Sequence, residues 1–331
     1  MTGLSPIALR RQAMLRTAFG PEIAQALADP LVVEIMVNPD GALRLDILGR
    51  GCIDTGTRIA HADAERIIRL VASHVRAEVH ADSPIVSAEL PASGTAPNGE
   101  RFEGILPPIA PAPCFAIRKP AAKVYTLLDY VADGIMPATT ARLLSRAVIE
   151  RRNILVAGGT SSGKTTLANA LLAEMAELGE RVVLIEDTRE LRCPAADTVA
   201  LRTRAGAVTM GDLVRSTLRL RPDRIIVGEV RGPEALDMLK AWNTGHSGGI
   251  ATVHANSAIA ALDRLEQLVE EVALSIPRRL IAEAIDIIVF IAGRGAARRI
   301  AEIVAVGGLD PAGGYQLTDR LNAHLPEGDQ S

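Results

Sequence analysis

The sequence predicts an α/β protein with a small α+β domain at the amino end and a larger domain built on a mostly parallel sheet. The chain has 331 residues, 48% of them hydrophobic, which suffices for about two domains. Residues 1–120 combine two helical patterns with short strands and turns. Residues 138–331 alternate strand and helix patterns with short loops, which is typical of a parallel sheet covered on both faces.

In the first domain, a turn signal and helical spacing predict a hairpin between two helices. The sequence Asn38–Gly41 (Asn-Pro-Asp-Gly) is a strong turn signal between two apolar segments, so it predicts a β-hairpin. Apolar residues at helical spacing flank this hairpin on both sides. The predicted elements are helix 4–28, strands 31–37 and 43–48, helix 62–79 and several short strands over 84–120. Residues 121–137, which end at Pro137, are predicted to be a linker.

The second domain, residues 138–331, is predicted from apolar strand segments that alternate with helical patterns. The sequence shows no internal repeat, so a repeat architecture is not indicated. The predicted strands are 153–157, 181–185, 224–227, 249–253, 287–291 and 300–306, and the predicted helices are 164–178, 209–220 and 233–243.

The composition excludes several classes of protein. A formal net charge of −3 excludes a disordered chain and argues against coating of nucleic acid, and four Phe, three Tyr and one Trp are too few for a base-stacking platform. Three cysteines without Cys-x-x-Cys spacing indicate a reducing compartment rather than a disulfide framework or a zinc site. The sequence has no signal-peptide core and no apolar run near the ~20 residues of a membrane span. We therefore expect a cytoplasmic protein, or one that associates peripherally with a membrane through a partner.

The strongest motif follows the predicted strand 153–157. It fits G-x-x-x-x-G-K-[ST] between a strand and a helix, where glycines let backbone N–H groups wrap a phosphate and the helix adds its positive amino end. Lys164 is suited to the outer phosphates, and the Thr165 hydroxyl can ligate Mg²⁺. The alternative is a glycine-rich turn without a ligand. The predicted binding residues are Gly158, Gly159, Thr160, Ser161, Ser162, Gly163, Lys164, Thr165 and Thr166.

Acidic residues follow two other predicted strands. Glu229 ends the apolar segment 224–228, where an acid can orient the attacking water or hold the shell of Mg²⁺, through a water molecule or directly. Glu186 and Asp187 end the segment 182–185, and carboxyl ends of strands are where α/β sheets gather ligands. Either of these two acids could assist, and the alternative for each acid is a solvated surface position.

Histidines and arginines complete the candidate set. His246 precedes the predicted strand 249–253 and His254 follows it, so either ring could sense a terminal phosphate, or else be a packed structural histidine. Arg215 and Arg219 lie four residues apart on the predicted helix 209–220 and share a face. Such a pair could stabilise transition-state charge in a neighbouring subunit, or form a solvated basic face.

Four motifs, in this order and at this spacing, resemble those of the type II/IV secretion traffic ATPases, and within them the conjugal-transfer branch. The segments Glu34–Gly41 and Phe115–Pro120 resemble the amino-terminal domain of that family. The four-cysteine zinc insert of the type II branch is absent from the sequence. The four motifs are 158–166, Ile185–Leu191, Arg221–Arg231 and Thr244–Ala255.

The resemblance implies a RecA-like P-loop ATPase domain at 138–331, a homohexameric ring, and ATP with Mg²⁺ as substrate and cofactor. It implies that hydrolysis moves the amino-terminal domains at the inner face of the cytoplasmic membrane, with inner-membrane components of a type IV secretion channel as partners. No direct sequence-specific binding of nucleic acid is expected. The residues it assigns are the Walker A loop 158–165, the Walker B acid Glu229, an Asp box with Glu186 and Asp187, a His box with His246 and His254, the amino-terminal-domain arginines Arg101 and Arg118, which would reach the nucleotide, and the boundary arginines Arg231, Arg215 and Arg219.

The sequence therefore predicts a hexameric ATPase motor for substrate transfer or pilus assembly in conjugative type IV secretion. Three alternatives remain at this point. The first is a type IV pilus retraction or assembly motor, which would use the same active site. The second is a helicase-like or partition ATPase that binds nucleic acid, and the third is a scaffold that binds ATP without turnover.

Overall fold

The computed structural model describes residues 6–92, 99–120, 124–204 and 206–321. The chain divides into two compact units, Met1–Lys123 and Val124–Ser331, and each has its own hydrophobic core. Parts of several predicted elements lie outside the described residues, namely 4–5 of the first helix, 93–98 of the strand-rich segment, 121–123 of the linker and 322–331 of the second domain.

A six-stranded antiparallel sheet forms the first unit, in the order β3-β2-β1-β6-β5-β4. The predicted hairpin is confirmed, because β1 pairs with β2 across the Asn38–Gly41 turn. The strand β3, which the sequence patterns did not indicate, continues this pairing. The strands are β1 (Val32–Val37), β2 (Ala42–Ile47), β3 (Gly51–Arg58), β4 (Ile85–Glu89), β5 (Arg101–Ile105) and β6 (Cys114–Arg118).

Two helices, α1 (Pro6–Ala28) and α2 (His61–Val75), pack their apolar faces with this sheet in one core. The single helix predicted over 4–28 is interrupted, because Gly20 has φ 71° and Pro21 follows it. The helix predicted over 62–79 ends earlier, because Arg76 adopts a left-handed conformation with φ 58° that caps α2.

An eight-stranded sheet forms the second unit, in the order β14-β13-β12-β7-β11-β10-β8-β9. The strands from β12 to β9 are parallel, and β13 and β14 add an antiparallel edge. This arrangement confirms the predicted mostly parallel sheet. The strands are β7 (Ile154–Gly158), β8 (Arg181–Glu186), β9 (Asp197–Arg202), β10 (Arg224–Val230), β11 (Ile250–His254), β12 (Ile287–Ala292), β13 (Arg299–Leu309) and β14 (Tyr315–Asp319).

Helices cover both faces of this sheet, and a separate hydrophobic core lies on each face. Alternate residues of one strand enter different cores, as Ile154 and Leu155 of β7 illustrate. The helices are α3 (Leu127–Ala132), α4 (Ala138–Ile149), α5 (Lys164–Ala173), α6 (Met210–Thr217), α7 (Glu234–Asn243), α8 (Ala258–Glu270) and α9 (Arg278–Ala284).

Three predicted segments of the second unit differ from the structure. The predicted linker 121–137 contains α3, and Leu127, Tyr130 and Met136 are buried in the core of the second unit. The helices predicted over 164–178 and 209–220 end at Ala173 and Thr217, because the backbone then turns with i→i−3 hydrogen bonds. In the described part of the chain, no helix is both long and apolar enough to cross a bilayer.

Candidate functional site

Four parallel strands bring most of the predicted site residues to one edge of the large sheet. The strands β7, β8, β10 and β11 run parallel, so their carboxyl ends share an edge. Gly158 ends β7 directly beside His254, which ends β11. Glu186 ends β8, and Glu229 lies near the end of β10. The fold thus brings together side chains that lie up to almost a hundred residues apart in the sequence.

The backbone at 158–163 forms a tight loop that requires glycine at position 158 and favours it at position 163. A Cβ on Gly158 would lie 2.5 Å from Ser162 Oγ and 2.7 Å from the carbonyl oxygen of Ile291, so no side chain fits there. Ser161 and Gly163 have φ of 61° and 98°, in the left-handed region. Beside Gly159 there is open space. A loop of this shape presents its N–H groups on a concave side, as an anion-binding cradle does.

Two features of this cradle fit a bound phosphate. Ser162 is only 2% exposed, and its Oγ has no hydrogen-bond partner in the structure. Helix α5 begins at Lys164, and Gly163 at its N-cap supplies no capping side chain, so the first N–H groups of the helix are open to an external acceptor. Thr165 and Thr166 are the next residues in this first turn and are half-buried.

Lys164 is 7% exposed and is held inside the cradle. Its ammonium donates to the carbonyl oxygen of Gly159 at 3.1 Å and lies 3.3 Å from Nδ1 of His254. Thr160 and Ser161 of the same loop are exposed. The ammonium therefore lies beside the backbone at the start of the loop, within reach of a ligand bound there.

Glu229, His254 and Arg231 form a charged cluster beside Lys164. Oε1 of Glu229 lies 2.8 Å from Nε2 of His254, and Arg231 Nε donates to Oε2 of Glu229 at 2.6 Å. Burial lowers the pKa of His254, and the positive charge of Lys164 lowers it further, whereas Glu229 opposes the shift. The ring of His254 thus connects the cradle lysine to the acid of the neighbouring strand, so the structure brings all four residues together.

The acids Glu186 and Asp187 already have hydrogen-bond donors from their own chain. Glu186 is 4% exposed, and its Oε1 accepts the N–H groups of Glu190 and Leu191 at 2.8 and 2.7 Å. Asp187 is exposed, and its Oδ1 accepts the hydroxyl of Thr203 at 2.8 Å. These hydrogen bonds indicate that the pair shapes the segment after β8, next to the acid at 229.

His246 is not brought to the cradle of its own chain. Its Nδ1 lies 3.1 Å from the carbonyl oxygen of Pro222, which precedes β10, and His246 itself precedes β11. Both positions belong to the amino edge of the parallel strands, whereas the cradle lies at the carboxyl edge. The expected contact of this histidine with the nucleotide is therefore not supported within one chain, because a whole strand separates the two histidines.

Arg215 and Arg219 do not share a helix face as predicted. The helix α6 ends at Thr217, so Arg219 lies in the turn that follows it. Arg215 pairs within its own chain, with Asp212 at 2.7 Å and Asp237 at 2.5 Å. A finger role in a neighbouring subunit would require Arg215 to exchange these two carboxylates for a phosphate.

Arg101 and Arg118 lie directly opposite each other on the paired strands β5 and β6 of the first unit. Glu89 lies opposite Arg101 on the next strand, and Glu34 lies opposite Arg118 on the other side. Directly opposite residues share a face of the sheet, so the two guanidinium groups form a basic pair between two acids.

The patterns of the sequence missed one residue at the cradle, Arg298. A Cβ on Gly163 would lie 2.9 Å from Arg298 Nε, so this side chain lies against the loop. The residue follows β12, the neighbour of β7 on the side away from β11. The only sequence signal was the basic segment 294–299 after a predicted strand, and no motif included it.

Among the residues that the structure describes, no three His, Cys, Asp or Glu side chains are grouped to hold a metal ion by themselves. Magnesium usually keeps several waters and is bound through one or two protein oxygens and substrate phosphates. The Thr165 hydroxyl beside the cradle and the carboxylate of Glu229 are donors of that kind. The donor set therefore fits a nucleotide-bound Mg²⁺ rather than an ion held by protein alone.

Comparison with known proteins agrees with this arrangement. The family model described as type II/IV secretion system protein matches residues 53–294. The conjugal transfer protein TrbB of Rhizobium radiobacter is 46% identical over 296 residues, which are 89% of this chain and 90% of that protein. The type IV secretion system protein PtlH of Bordetella pertussis is 38% identical over 260 residues, 67% of this chain and 75% of that protein. The resemblance drawn from the four motifs is confirmed.

A solved structure shares the fold at low sequence identity. The crystal structure of the pilus retraction motor PilT with bound ADP has a TM-score of 0.61 and 18% identity, and covers 90% of this chain and 81% of that chain. The likeness supports the α/β architecture, with an antiparallel first unit and a mostly parallel second unit.

Proposed function

The chain belongs to the family of type II/IV secretion system proteins, and from this premise we propose that it is an ATPase that powers substrate transfer in a conjugative type IV secretion system. The observation that carries the proposal is the glycine-lined cradle with Lys164 inside it, facing Glu229 and His254 at the same sheet edge. The 46% identity to TrbB supports the conjugative branch over a pilus retraction motor, whose known structure is 18% identical.

Binding begins with the cradle, which offers backbone N–H groups, the amino end of α5 and the Lys164 ammonium to the triphosphate of ATP. In the structure this ammonium contacts a neutral carbonyl and a histidine ring. Phosphate oxygens give shorter and stronger charge-assisted bonds, so a bound nucleotide would draw Lys164 away from His254. Mg²⁺, held by Thr165 and through water by Glu229, would neutralise phosphate charge.

Hydrolysis needs a group that orients the attacking water, and Glu229 is placed for that role. In the structure Oε2 of its carboxylate accepts a hydrogen bond from Arg231, whereas Oε1, 2.8 Å from Nε2 of His254, is buried and has no hydrogen-bond donor. A shift of the His254 ring away from Oε1 would let this oxygen accept a hydrogen bond from water. Because the ring of His254 lies 3.3 Å from the Lys164 ammonium and 2.8 Å from Glu229, a change at the phosphates can reach the acid through a single ring.

We further propose an assembly that follows the family: a homohexameric ring at the cytoplasmic face of the inner membrane, with components of the secretion channel as partners. An amino-terminal domain of residues 1–120 would then precede the ATPase domain 138–331, and the α3 part of the predicted linker 121–137 would belong with the ATPase domain, because Leu127, Tyr130 and Met136 are buried in its core. Arg101 and Arg118 suit a nucleotide contact, because two guanidinium groups side by side bind phosphate well.

Loss of the cradle cation tests the function directly. Lys164→Ala should abolish ATP turnover and plasmid transfer in a mating assay, because the outer phosphates lose their cation. Lys240→Ala is the matched control, since Lys240 is an exposed lysine of α7 in the same unit. Turnover at the wild-type rate in Lys164→Ala would refute the proposal.

Assembly is tested by native mass spectrometry with and without a non-hydrolysable ATP analogue. The expected mass is that of six chains in the presence of the analogue. A stable monomer at every nucleotide concentration would refute the proposed ring. The ATPase activity would still be tested separately, by the Lys164→Ala experiment.

A further inference from the structure

The side chain of Arg298 reaches the phosphate-binding loop from a distant part of the chain. Strand β12 lies beside β7 in the sheet, with Ile291 next to Gly158. The segment after β12 therefore starts at the edge of the cradle, and the short turn Gly295–Ala297 leads into Arg298. A Cβ on Gly163 would lie 2.9 Å from Nε and 3.0 Å from Cζ of Arg298. The guanidinium group thus packs against the backbone at the N-cap of α5.

This position is electrostatically unfavourable for a cation when no anion is present. The amino end of a helix carries about half a positive charge, and the Lys164 ammonium lies in the first turn of the same helix. Within the described ranges, no carboxylate forms an ion pair with Arg298, and its buried Nε has no hydrogen-bond acceptor. An anion bound beside Lys164 and Arg298 would therefore offset the repulsion between these two cations and the positive end of the helix.

Other buried polar atoms at the same place also have no partner. Ser162, 2% exposed, has an unpaired Oγ in the cradle. The hydroxyl of Tyr130 is buried and unpaired, and burial raises its pKa while the nearby charge of Arg298 opposes the rise. Buried polar atoms without partners are uncommon in native proteins, and a cluster of them calls for an explanation such as a bound ligand.

We propose that Arg298 is a nucleotide-binding residue whose guanidinium group contacts a phosphate of ATP at the amino end of α5, beside Gly163. The inference deepens the function proposed above and rests on it. A guanidinium group suits this task because its planar donors match two phosphate oxygens at once. The loop that carries Arg298 joins β12 to the antiparallel edge, so this contact would couple the antiparallel strands to the nucleotide.

Binding measurements, not turnover, test the inference. Calorimetric titration compares the wild type with Arg298→Ala and Arg298→Gln, using a non-hydrolysable ATP analogue with Mg²⁺ and, separately, inorganic tripolyphosphate. Arg299→Ala is the matched control, because Arg299 is exposed and adjacent in sequence. Both Arg298 variants should bind both probes about 10-fold or more weakly than wild type, with a weaker dependence on salt. Arg299→Ala should bind both as wild type does.

Several results would overturn the inference. Unchanged binding of both probes would remove Arg298 from the site, and weaker binding of the ATP analogue alone would assign the side chain to the base or sugar instead. A purely structural role predicts a lower melting temperature with unchanged binding, whereas removal of an unpaired cation should leave the melting temperature equal or higher. Failure of the wild type to bind either probe would refute the proposed function itself, and the inference with it.

Discussion

The two edges of the parallel strands in the second unit differ in how their polar side chains are paired. At the amino edge, Asn153 is fully paired by its own chain. Its N–H donates to Asp286 at 2.8 Å, its side-chain amide donates to Ala284 at 2.8 Å, and its Oδ1 accepts from Gly248 and Gly249 at 2.8 and 2.9 Å. These bonds tie the starts of β7, β11 and β12 together.

Arg224 adds to the same edge. The residue is 0% exposed, its Nε pairs with Glu180, and its Nη1 donates to the carbonyl oxygen of Val148 at 2.8 Å, whereas its Nη2 is buried without a partner. At the carboxyl edge, by contrast, Ser162 Oγ and Arg298 Nε are buried without partners, and α5 starts without a capping side chain. The comparison shows that Asn153 and Arg224 hold the amino edge together through bonds within the chain, whereas Ser162, Arg298 and the amino end of α5 at the carboxyl edge offer groups that a bound ligand can pair.

The largest expected effect is a loss of ATP turnover when an acid at the carboxyl edge is neutralised. Glu229→Gln should lower ATP turnover by about 10²–10⁴-fold, because it removes the group that orients and deprotonates water, and should leave stability nearly unchanged. Steady-state phosphate release and a denaturant melt measure the two quantities. Glu270→Gln, an exposed acid at the end of α8, is the control. Turnover within a few-fold of wild type would remove Glu229 from its assigned role.

The second effect concerns the amino edge. Arg224→Ala should lower the free energy of unfolding by about 1.5–3 kcal/mol, because the carbonyl oxygen of Val148 loses its donor and Glu180 keeps only Arg151 as an ion-pair partner. Equilibrium unfolding in urea measures this loss. Arg221→Ala is the control, since Arg221 is an exposed arginine three residues away, in the turn before β10. A loss below about 1 kcal/mol for Arg224→Ala would mean that this edge does not anchor the sheet.

A smaller effect distinguishes paired from unpaired hydroxyls at the carboxyl edge. Ser162→Ala should change the free energy of unfolding by less than about 0.5 kcal/mol, or raise it, because its Oγ has no partner to lose. Thr252→Val should lower it by about 1–2 kcal/mol, because Thr252 Oγ1 donates to Gly228 at 2.8 Å. Equal losses in the two variants would contradict the distinction between the hydroxyls.

The smallest effect is a pH dependence of stability. The pKa of His254 is lowered in the folded state, so the unfolded chain binds its proton more readily and stability falls as pH drops below about 6.5. Thermal melts between about pH 7 and about pH 5.5 should show a shallower loss in His254→Asn than in the wild type. His246→Asn at the other edge controls for removal of an imidazole. If the melting temperature of His254→Asn depended on pH as steeply as that of the wild type, protonation of His254 would not contribute to the pH dependence of stability.

Local pattern was sufficient for most of the elements that carry the cradle. The predicted strands 153–157, 181–185 and 224–227 match β7, β8 and β10 to within a few residues, because each is a continuous apolar segment. The edge strand β14 and the half-exposed β9 were missed, since each is short and only two large apolar residues alternate in it, Tyr315 and Leu317 in β14 and Val199 and Leu201 in β9. The segment 121–137 was predicted to be a linker because the local pattern does not show that the apolar residues of α3 pack into the core of the second unit.

The sequence by itself determined the phosphate cradle, because glycines at 158 and 163, a lysine at 164 and the helix that follows act through backbone geometry over a few residues. Which distant side chains reach that cradle was decided by the tertiary structure. Strand order places His254 and Arg298 beside it and His246 at the opposite edge, although both histidines belong to one motif. Side-chain proximity across a sheet depends on strand direction and neighbour order, and neither is encoded in local spacing.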